Sequence, residues 1–391
     1  ELINELKIRG SIGEVGNDSH TSNAGLNYYV SQPTFSNGFS NGSEGGFLAN
    51  SPGAADLQWE KNTQSDIGVE FTLFKNRIRG AVEYYKRETD GLIFNVPNPL
   101  TSGLDSRVEN IGTMNNSGIE VSLDATIVKT KDFSWNFNVN ASTIKNEITK
   151  LPQTEIITGT KKYSIGSSIF DYWLRDWYGV DPADGYALYV IDPKFLPATG
   201  VVDPTYRVVN GVNVTTDQNK ALFHYADTSL PDLFGSFSNT FKYDGFQLEV
   251  LFTYQLGGKT YDSNYSGLMH TGNNYGSALS TDILRRWQKP GDITDVPRLD
   301  VNRNVQSSAA SDRWLVDSDY LSLRQITMSY NLPSKFVGKI GVDGIRFFAN
   351  GENLMLFTKR VGLDPTQNLN GTTQNRFSPA RLISLGFNLN F

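Results

Sequence analysis

Between Asp66 and Tyr85 the chain reads as two ribbons, each with an oily side and a wet side. Ile67, Val69, Phe71 and Leu73 alternate with Asp66, Gly68, Glu70 and Thr72. Beyond a turn at Lys75-Asn76, Ile78, Gly80, Val82 and Tyr84 alternate with Arg79, Ala81, Glu83 and Tyr85. A period of two belongs to β-strands, and two such runs around a short polar turn make a hairpin. An unpaired charge in a dry interior is strongly unfavourable, so Glu70, Arg79, Glu83 and Arg87 must meet water or one another. One side of the ribbon therefore needs an apolar medium and the other an aqueous one.

The arrangement repeats along the chain. Ile119, Val121, Leu123, Ala125 and Ile127 oppose Glu120, Ser122, Asp124 and Thr126; after Lys129 to Asp132, Phe133, Trp135, Phe137, Val139 and Ala141 oppose a Ser/Asn series. Phe237, Phe241 and Tyr243 lead to the turn Asp244-Gly245, and Phe246, Leu248, Val250, Phe252 and Tyr254 follow it. Ile326, Met328, Tyr330 and Leu332 descend to a connector, Pro333 to Gly344, with room for one helical turn, and Ile345, Phe347 and Ala349 rise from it. Leu6, Ile8, Gly10 and Ile12 give a first strand; Ile383, Leu385, Phe387, Leu389 and Phe391 line one face of a last. About ten strands result.

The connections alternate in length. Those at Lys75, Lys129, Asp244 and Pro333 are short, whereas those starting near Glu14, Asp90, Lys145, Gly257 and Lys359 run from roughly fifteen to roughly eighty residues, beyond the usual range for compact domains. Such an alternation is what outer-membrane β-barrels show, with short periplasmic turns, long extracellular loops, lipid on the oily side and a wet interior on the other. The expected fold is thus all-β, an antiparallel transmembrane β-barrel, with both termini periplasmic and Tyr84 and Trp135 in interfacial girdles. The polar connection from Glu14 to about Asp56 is expected to be either functional or disordered.

Composition removes several classes. A net charge of -6 gives no electrostatic reason to hold nucleic acid. The chain has no Cys, hence no disulfide or thiolate site. No apolar run of about 18 residues is present to form a spanning helix. The chain opens at Glu1 without Met, and we expect a mature chain or part of a longer one.

Several motifs carry a family resemblance. They are Leu57-Gln58-Trp59-Glu60 through Asp66-Ile67-Gly68-Val69-Glu70, Tyr84-Tyr85-Lys86-Arg87, Asn115-Asn116-Ser117-Gly118-Ile119-Glu120, Asp319-Tyr320-Leu321-Ser322-Leu323-Arg324, Gly351-Glu352-Asn353-Leu354 and Leu382 to Phe391. In order and over almost the whole chain, these resemble the C-terminal half of SusC-like (RagA-like) TonB-dependent outer-membrane transporters of the Bacteroidetes. The resemblance implies that residues 1–391 are the last ten or so strands of a barrel of about twenty-two. It also implies a plug domain and further strands before Glu1, coupling to TonB, a SusD-like surface lipoprotein as partner, and a glycan, oligosaccharide or peptide substrate. Phe387, Leu389 and Phe391 resemble the terminal strand that signals barrel assembly.

Candidate site residues are aromatic. Tyr172, Trp173, Trp177, Tyr178, Tyr186 and Tyr189 crowd one long connection, beside Arg175, Asp176 and Asp181, and Tyr265 and Tyr275 stand in the next. Flat rings among polar groups suit stacking on sugar faces or peptide groups; packing within the loops, or contact with the lipoprotein, uses the same residues. A short helix near Ser280 to Gln288 would present Ile283, Leu284 and Trp287. His20, His224 and His270 lie far apart without ligand spacing, and Asp181-Pro182-Ala183-Asp184-Gly185 departs from a calcium-loop pattern. No catalytic residue, metal or cofactor is therefore expected. A ten-stranded protease-like barrel enzyme and a secreted β-sandwich adhesin stay as alternatives; in the latter the oily face would be buried.

Overall fold

The computed structural model describes all residues except 1, 18–20, 23–24, 27–28, 43, 105, 152, 273–275, 338–340, 368 and 375; His20 and Tyr275 thus lie outside the described residues. Ten long strands carry the fold: β1 (Ile3–Asn17), β2 (Glu60–Leu73), β3 (Ile78–Asp90), β4 (Thr113–Lys129), β5 (Phe133–Ser142), β6 (Leu233–Tyr243), β7 (Phe246–Leu256), β8 (Tyr320–Asn331), β9 (Gly344–Thr358) and β10 (Leu382–Asn390). Backbone contacts divide the chain into two units. The first comprises Glu1–Thr158, Lys162–Ile169 and Gly235–Asp244; the second comprises Gly159–Lys161, Phe170–Phe234 and Gly245–Phe391.

In the first unit β1 to β6 lie side by side in chain order. The antiparallel registers align like with like. Ile8 stands opposite Val69, Val69 opposite Val82, Val82 opposite Val121 and Val121 opposite Ala141. One residue along, the row is Arg9, Gly68, Glu83, Glu120 and Ser142. Because side chains alternate in direction, the two rows face opposite ways. The second unit repeats this in β7 to β10, where Leu248, Met328, Ala349 and Leu385 form one row and Glu249, Thr327, Asn350 and Ser384 the next.

The apolar side is bare. Ile8, Ile67 and Leu385 are 73%, 58% and 80% exposed, Val121 is also exposed, and Leu248 is half-buried. Leaving a large aliphatic or aromatic side chain in water forgoes roughly 1.5–3 kcal/mol of burial. Summed over this face the loss is on the order of tens of kcal/mol, beyond the roughly 5–15 kcal/mol by which domains are stable. The other side holds charges that satisfy one another: Glu70 pairs with Lys7 (3.3 Å) and Arg9 (3.1 Å), and Arg9 also reaches Glu83. Arg87 Nε donates to Asn62 Oδ1 at 3.1 Å.

The tight turns follow local chemistry. Phe74, Lys75 and Asn76 have positive φ, as do Asp244 (41°) and Gly245 (87°), the signature of a hairpin turn whose twist suits its strands. Gly245 is further required because a Cβ there would lie 2.8 Å from the Asn331 carbonyl. The connector after β8 holds the short helix Ser334–Val337. The connection from β1 to β2 contains a hairpin, Thr34–Asn41 with Glu44–Ser51. Its Gly, Ser and Asn content hid the strands, which expose Phe35 and Phe47. The segment near Ser280 is a 3-10 helix, Thr281–Arg285, in which Ile283 is buried and Leu284 exposed.

The ribbon's inverted polarity gives a test. Val121→Arg is expected to destabilise the protein by about 2–4 kcal/mol near a bilayer midplane, and Ser122→Arg, on the other side, by no more than about 0.5 kcal/mol. Urea unfolding in lipid vesicles measures both, and equal effects would contradict the assigned faces.

Candidate functional site

The buried core sits in the long connections rather than in the ribbons. In the second unit Tyr172, Leu174, Tyr261, Met269, Ile283, Val296 and Trp314 form one cluster, and Ala187, Tyr189, Ala221 and Ala309 another with Trp177 against it. The strand Asp171–Arg175 shows how the sequence sorts its side chains. Tyr172 and Leu174 are buried while Trp173 and Arg175, alternating with them, are half-exposed. The strand pairs with Phe223–Thr228, placing Trp173 opposite Tyr225, Leu174 opposite His224 and Arg175 opposite Phe223.

The singled-out aromatics divide by exposure. Tyr172 is fully buried, its hydroxyl 2.6 Å from the Gly371 carbonyl and 3.0 Å from that of Lys259. Tyr189 is fully buried and donates to the Gln306 carbonyl. Burial raises both phenol pKa values. These two offer no face to a ligand and act as struts. Tyr178 donates to the Val209 carbonyl (3.2 Å), and Arg313 lies over Trp177. The ring of Tyr186 is faced by Arg298 and Arg303, at 4.3 and 4.1 Å from its centroid. Trp173 stacks on Phe223 (6.2 Å) and meets Tyr225 edge-on (5.0 Å), and Tyr225 is exposed. These three rings make a ledge in which Tyr225 is exposed and Trp173 and Phe223 are half-buried, with the Arg175 guanidinium 4.6 Å from the Phe223 ring centroid. Phe223 and Tyr225 escaped the sequence reading, although their one-residue spacing is a strand signal.

Tyr265 donates to Asp282 Oδ2 (2.7 Å), and the Arg360 guanidinium lies 3.9 Å from its ring centroid while pairing with Asp262 (2.7 Å). Tyr265 and Arg360 line a cavity of about 220 Å³ with Asp364, Gln367 and Arg376. A second cavity, about 440 Å³, is bounded by Tyr320, Arg324, Asn353 and Thr253. Two of the motifs that carried the family resemblance thus meet at one opening. Both cavities present guanidinium, carboxylate, amide and hydroxyl groups, a lining suited to hydroxyls or peptide groups.

Asp181 to Gly185 forms a tight turn, with Gly185 N–H donating to the Asp181 carbonyl (2.8 Å). Gly185 has φ 75°, and a Cβ there would strike the Trp287 ring. Both carboxylates of the turn are engaged by Arg207, at 2.6 Å for Asp184. His224, expected to stand apart from any ligand set, meets Asp176 and Asp312. Its Nε2 is 3.1 Å from Asp312 Oδ2. Three distant segments supply this cluster, so sequence spacing carried no sign of it. His270 is buried, its Nδ1 accepting from the Gly272 N–H (3.1 Å).

A meander with a bare apolar side, a charge-paired side and its core clusters in the long connections defines the class of transmembrane β-barrels. Residues 1–354 match the family described as TonB dependent receptor-like, beta-barrel, and the chain belongs to that family, which is an outer-membrane one. It is similar to TonB-dependent receptor P39 of Formosa agariphila, 28% identical over 93% of this chain and 38% of that protein. It is also similar to TonB-dependent receptor SusC of Bacteroides thetaiotaomicron, 24% identical over 86% of this chain and 32% of SusC. Among solved structures, the RagAB peptide importer in its closed-closed state has a chain that superposes on all of this one and 41% of itself, at 25% identity and a TM-score of 0.82. The chain therefore spans about a third to two fifths of the length of these relatives.

Lys161 gives this unit a pH signature. Its Nζ donates to the Phe170 carbonyl and lies 3.4 Å from the Tyr172 ring centroid. Burial lowers the ammonium pKa from 10.5 to about 7, against the opposing pull of Asp171. An unfolded chain keeps this proton up to about 10.5 and the folded one only to about 7, so between those limits the lysine costs more stability as pH falls, with the full cost below 7. Lys161→Met is expected to slow hydrogen exchange in Asp171–Arg175 more at pH 6 than at pH 10. A benefit independent of pH would contradict this.

Proposed function

We propose that this chain is the C-terminal part of the barrel of a TonB-dependent importer, supplying barrel wall and extracellular loops for uptake of oligosaccharides or peptides across the outer membrane. The observation that carries this is the inverted placement of apolar groups, with Ile67 and Leu385 bare on the ribbons and Trp314 buried among the long connections. In this reading residues 1–391 work with strands and a plug supplied by the rest of the protein, and the plug side couples to TonB. The C-terminus is periplasmic, because the short turns all fall on one side by strand parity. Transport forms no bonds in its substrate, so the protein is not an enzyme, in keeping with relatives named as receptors and importers.

The partnership in RagAB and the kinship with SusC support a SusD-like lipoprotein seated over the extracellular loops. Substrate contact is assigned to the ledge of Trp173, Phe223 and Tyr225, where Tyr225 is exposed and the other two rings are half-buried, rather than to the fully buried Tyr172 and Tyr189. Phe387, Leu389 and Phe391 form the assembly signal; Phe387 and Phe391 are 61% and 86% exposed.

The test is to express the full-length gene with a candidate SusD-like lipoprotein gene from the same genome and measure TonB-dependent uptake. Co-purification of the lipoprotein and loss of uptake without TonB are expected. A stacking contact worth about 0.5–1.5 kcal/mol makes Trp173→Ala weaken ligand binding roughly 2- to 10-fold. Deleting Phe391 is expected to lower the heat-modifiable, folded fraction in outer membranes without changing synthesis. TonB-independent uptake with an unaccompanied barrel would refute the proposal.

A further inference from the structure

Asp176, His224 and Asp312 offer one ligand atom each, all within 4.8 Å of one another. Local structure brings them together. The ladder between Asp171–Arg175 and Phe223–Thr228 extends one residue, the Asp176 N–H donating to the Leu222 carbonyl at 2.9 Å. His224 lies opposite Leu174, and Asp176 is two residues beyond Leu174, which places both on one side of the pair. Asp312 opens the 3-10 turn Asp312–Trp314, anchored by the buried Trp314. The Trp177 N–H donates to Asp312 Oδ1 (2.9 Å), leaving Oδ2 directed at His224 Nε2 (3.1 Å).

Two further features point to a missing partner. Neither aspartate has a Lys or Arg ion pair among the described residues, and the only ion-pair partner of Asp312 among them is the His224 imidazole. Ser311 precedes Asp312 and bridges Arg175, the neighbour of Asp176. It is fully buried, and its hydroxyl has no hydrogen-bond partner among the described residues.

The geometry points to a binding site for one divalent ion of the zinc or manganese type, held by Asp176, His224 and Asp312. A neutral imidazole beside carboxylates suits these borderline ions, whereas calcium and magnesium prefer all-oxygen shells. Ligand bonds of about 2.0–2.2 Å put neighbouring ligands of a tetrahedral ion roughly 3.3–3.6 Å apart, a few tenths of an ångström beyond the His224–Asp312 spacing of 3.1 Å. Metal at Nε2 takes that nitrogen's lone pair, so the neutral ring carries its proton on Nδ1. The Trp177 N–H fixes the Asp312 carboxylate as an outer-shell donor. Water completes the coordination, and the ion ties three distant segments of the second unit together.

The test uses the full-length protein in detergent, stripped with a chelator and titrated with Zn2+, Mn2+ and Ca2+. Calorimetry and bound-metal analysis after dialysis read the outcome. One equivalent of Zn2+ or Mn2+ is expected, with Ca2+ much weaker. Asp176→Asn, at a half-exposed position without a Lys or Arg ion pair among the described residues, should keep the fold and lower affinity by more than roughly 100-fold, beyond the 10- to 100-fold typical of outer-shell losses. His224→Ala should do the same, with circular dichroism and heat-modifiability checking that each variant is folded. Absence of stoichiometric binding, equal binding of Ca2+, or unchanged affinity in a folded Asp176→Asn protein would overturn the site.

Discussion

Exposed hydrocarbon along one side of the ribbons is the constraint on which the rest depends. Water cannot stabilise a face bearing Ile8, Ile67, Leu385 and Phe387, because the forgone burial exceeds what a domain has to spare. Lipid removes that penalty, but only if the backbone polar groups between strands are satisfied by the ladder itself. The registers meet this demand, with whole rows of apolar side chains aligned from strand to strand. Charge then follows as a second consequence. Lys7, Arg9, Glu70 and Glu83 share the other side and neutralise one another, each pair contributing little stability but removing local repulsion.

With no dry interior available to the ribbons, the buried core must form elsewhere. It forms in the long connections, where Trp314, Tyr172, Tyr189 and Leu174 are fully buried. These segments are folded bodies with strands, short helices and polar ties, such as Arg207 across the Asp181–Gly185 turn and Lys220 to Asp203 (2.8 Å). The last pair holds the Asp203 carboxyl at a pKa of about 2, first through the Lys220 hydrogen bond. A loop built in this way can hold rings in fixed positions.

The ribbons were legible because each needed only local information. Alternation from Ile67 to Tyr84 and from Ile119 to Ala141 specified strands, and Lys75-Asn76 and Asp244-Gly245 specified turns whose positive φ values the structure displays. The register irregularity between Thr126 and Val128 was not visible, since Ile127 continues the pattern by residue type. The long connections were less legible for the opposite reason: their order rests on contacts across large separations. The same residue type serves two purposes there, and Tyr172 and Trp173, adjacent in sequence, end as a strut and part of a ledge. Nothing in the sequence near His224 marks Asp176 or Asp312 as its neighbours.

Tyr172 also limits how the candidate surface can move. Its hydroxyl reaches carbonyls of Lys259 and Gly371, which belong to two other long connections, and a Cβ on Gly371 would collide with that oxygen. The Tyr261 N–H donates to the same Gly371 carbonyl (2.6 Å), while Thr373 N–H returns a bond to the Tyr261 carbonyl (3.0 Å). Swinging the last connection away would strand these buried groups without partners, each costing about 1–3 kcal/mol. Trp173, one residue along, projects from the opposite face of its strand. Rearrangement is therefore hardest for the strand that carries Trp173, and a ligand at the proposed ledge would meet a surface with a rigid backbone.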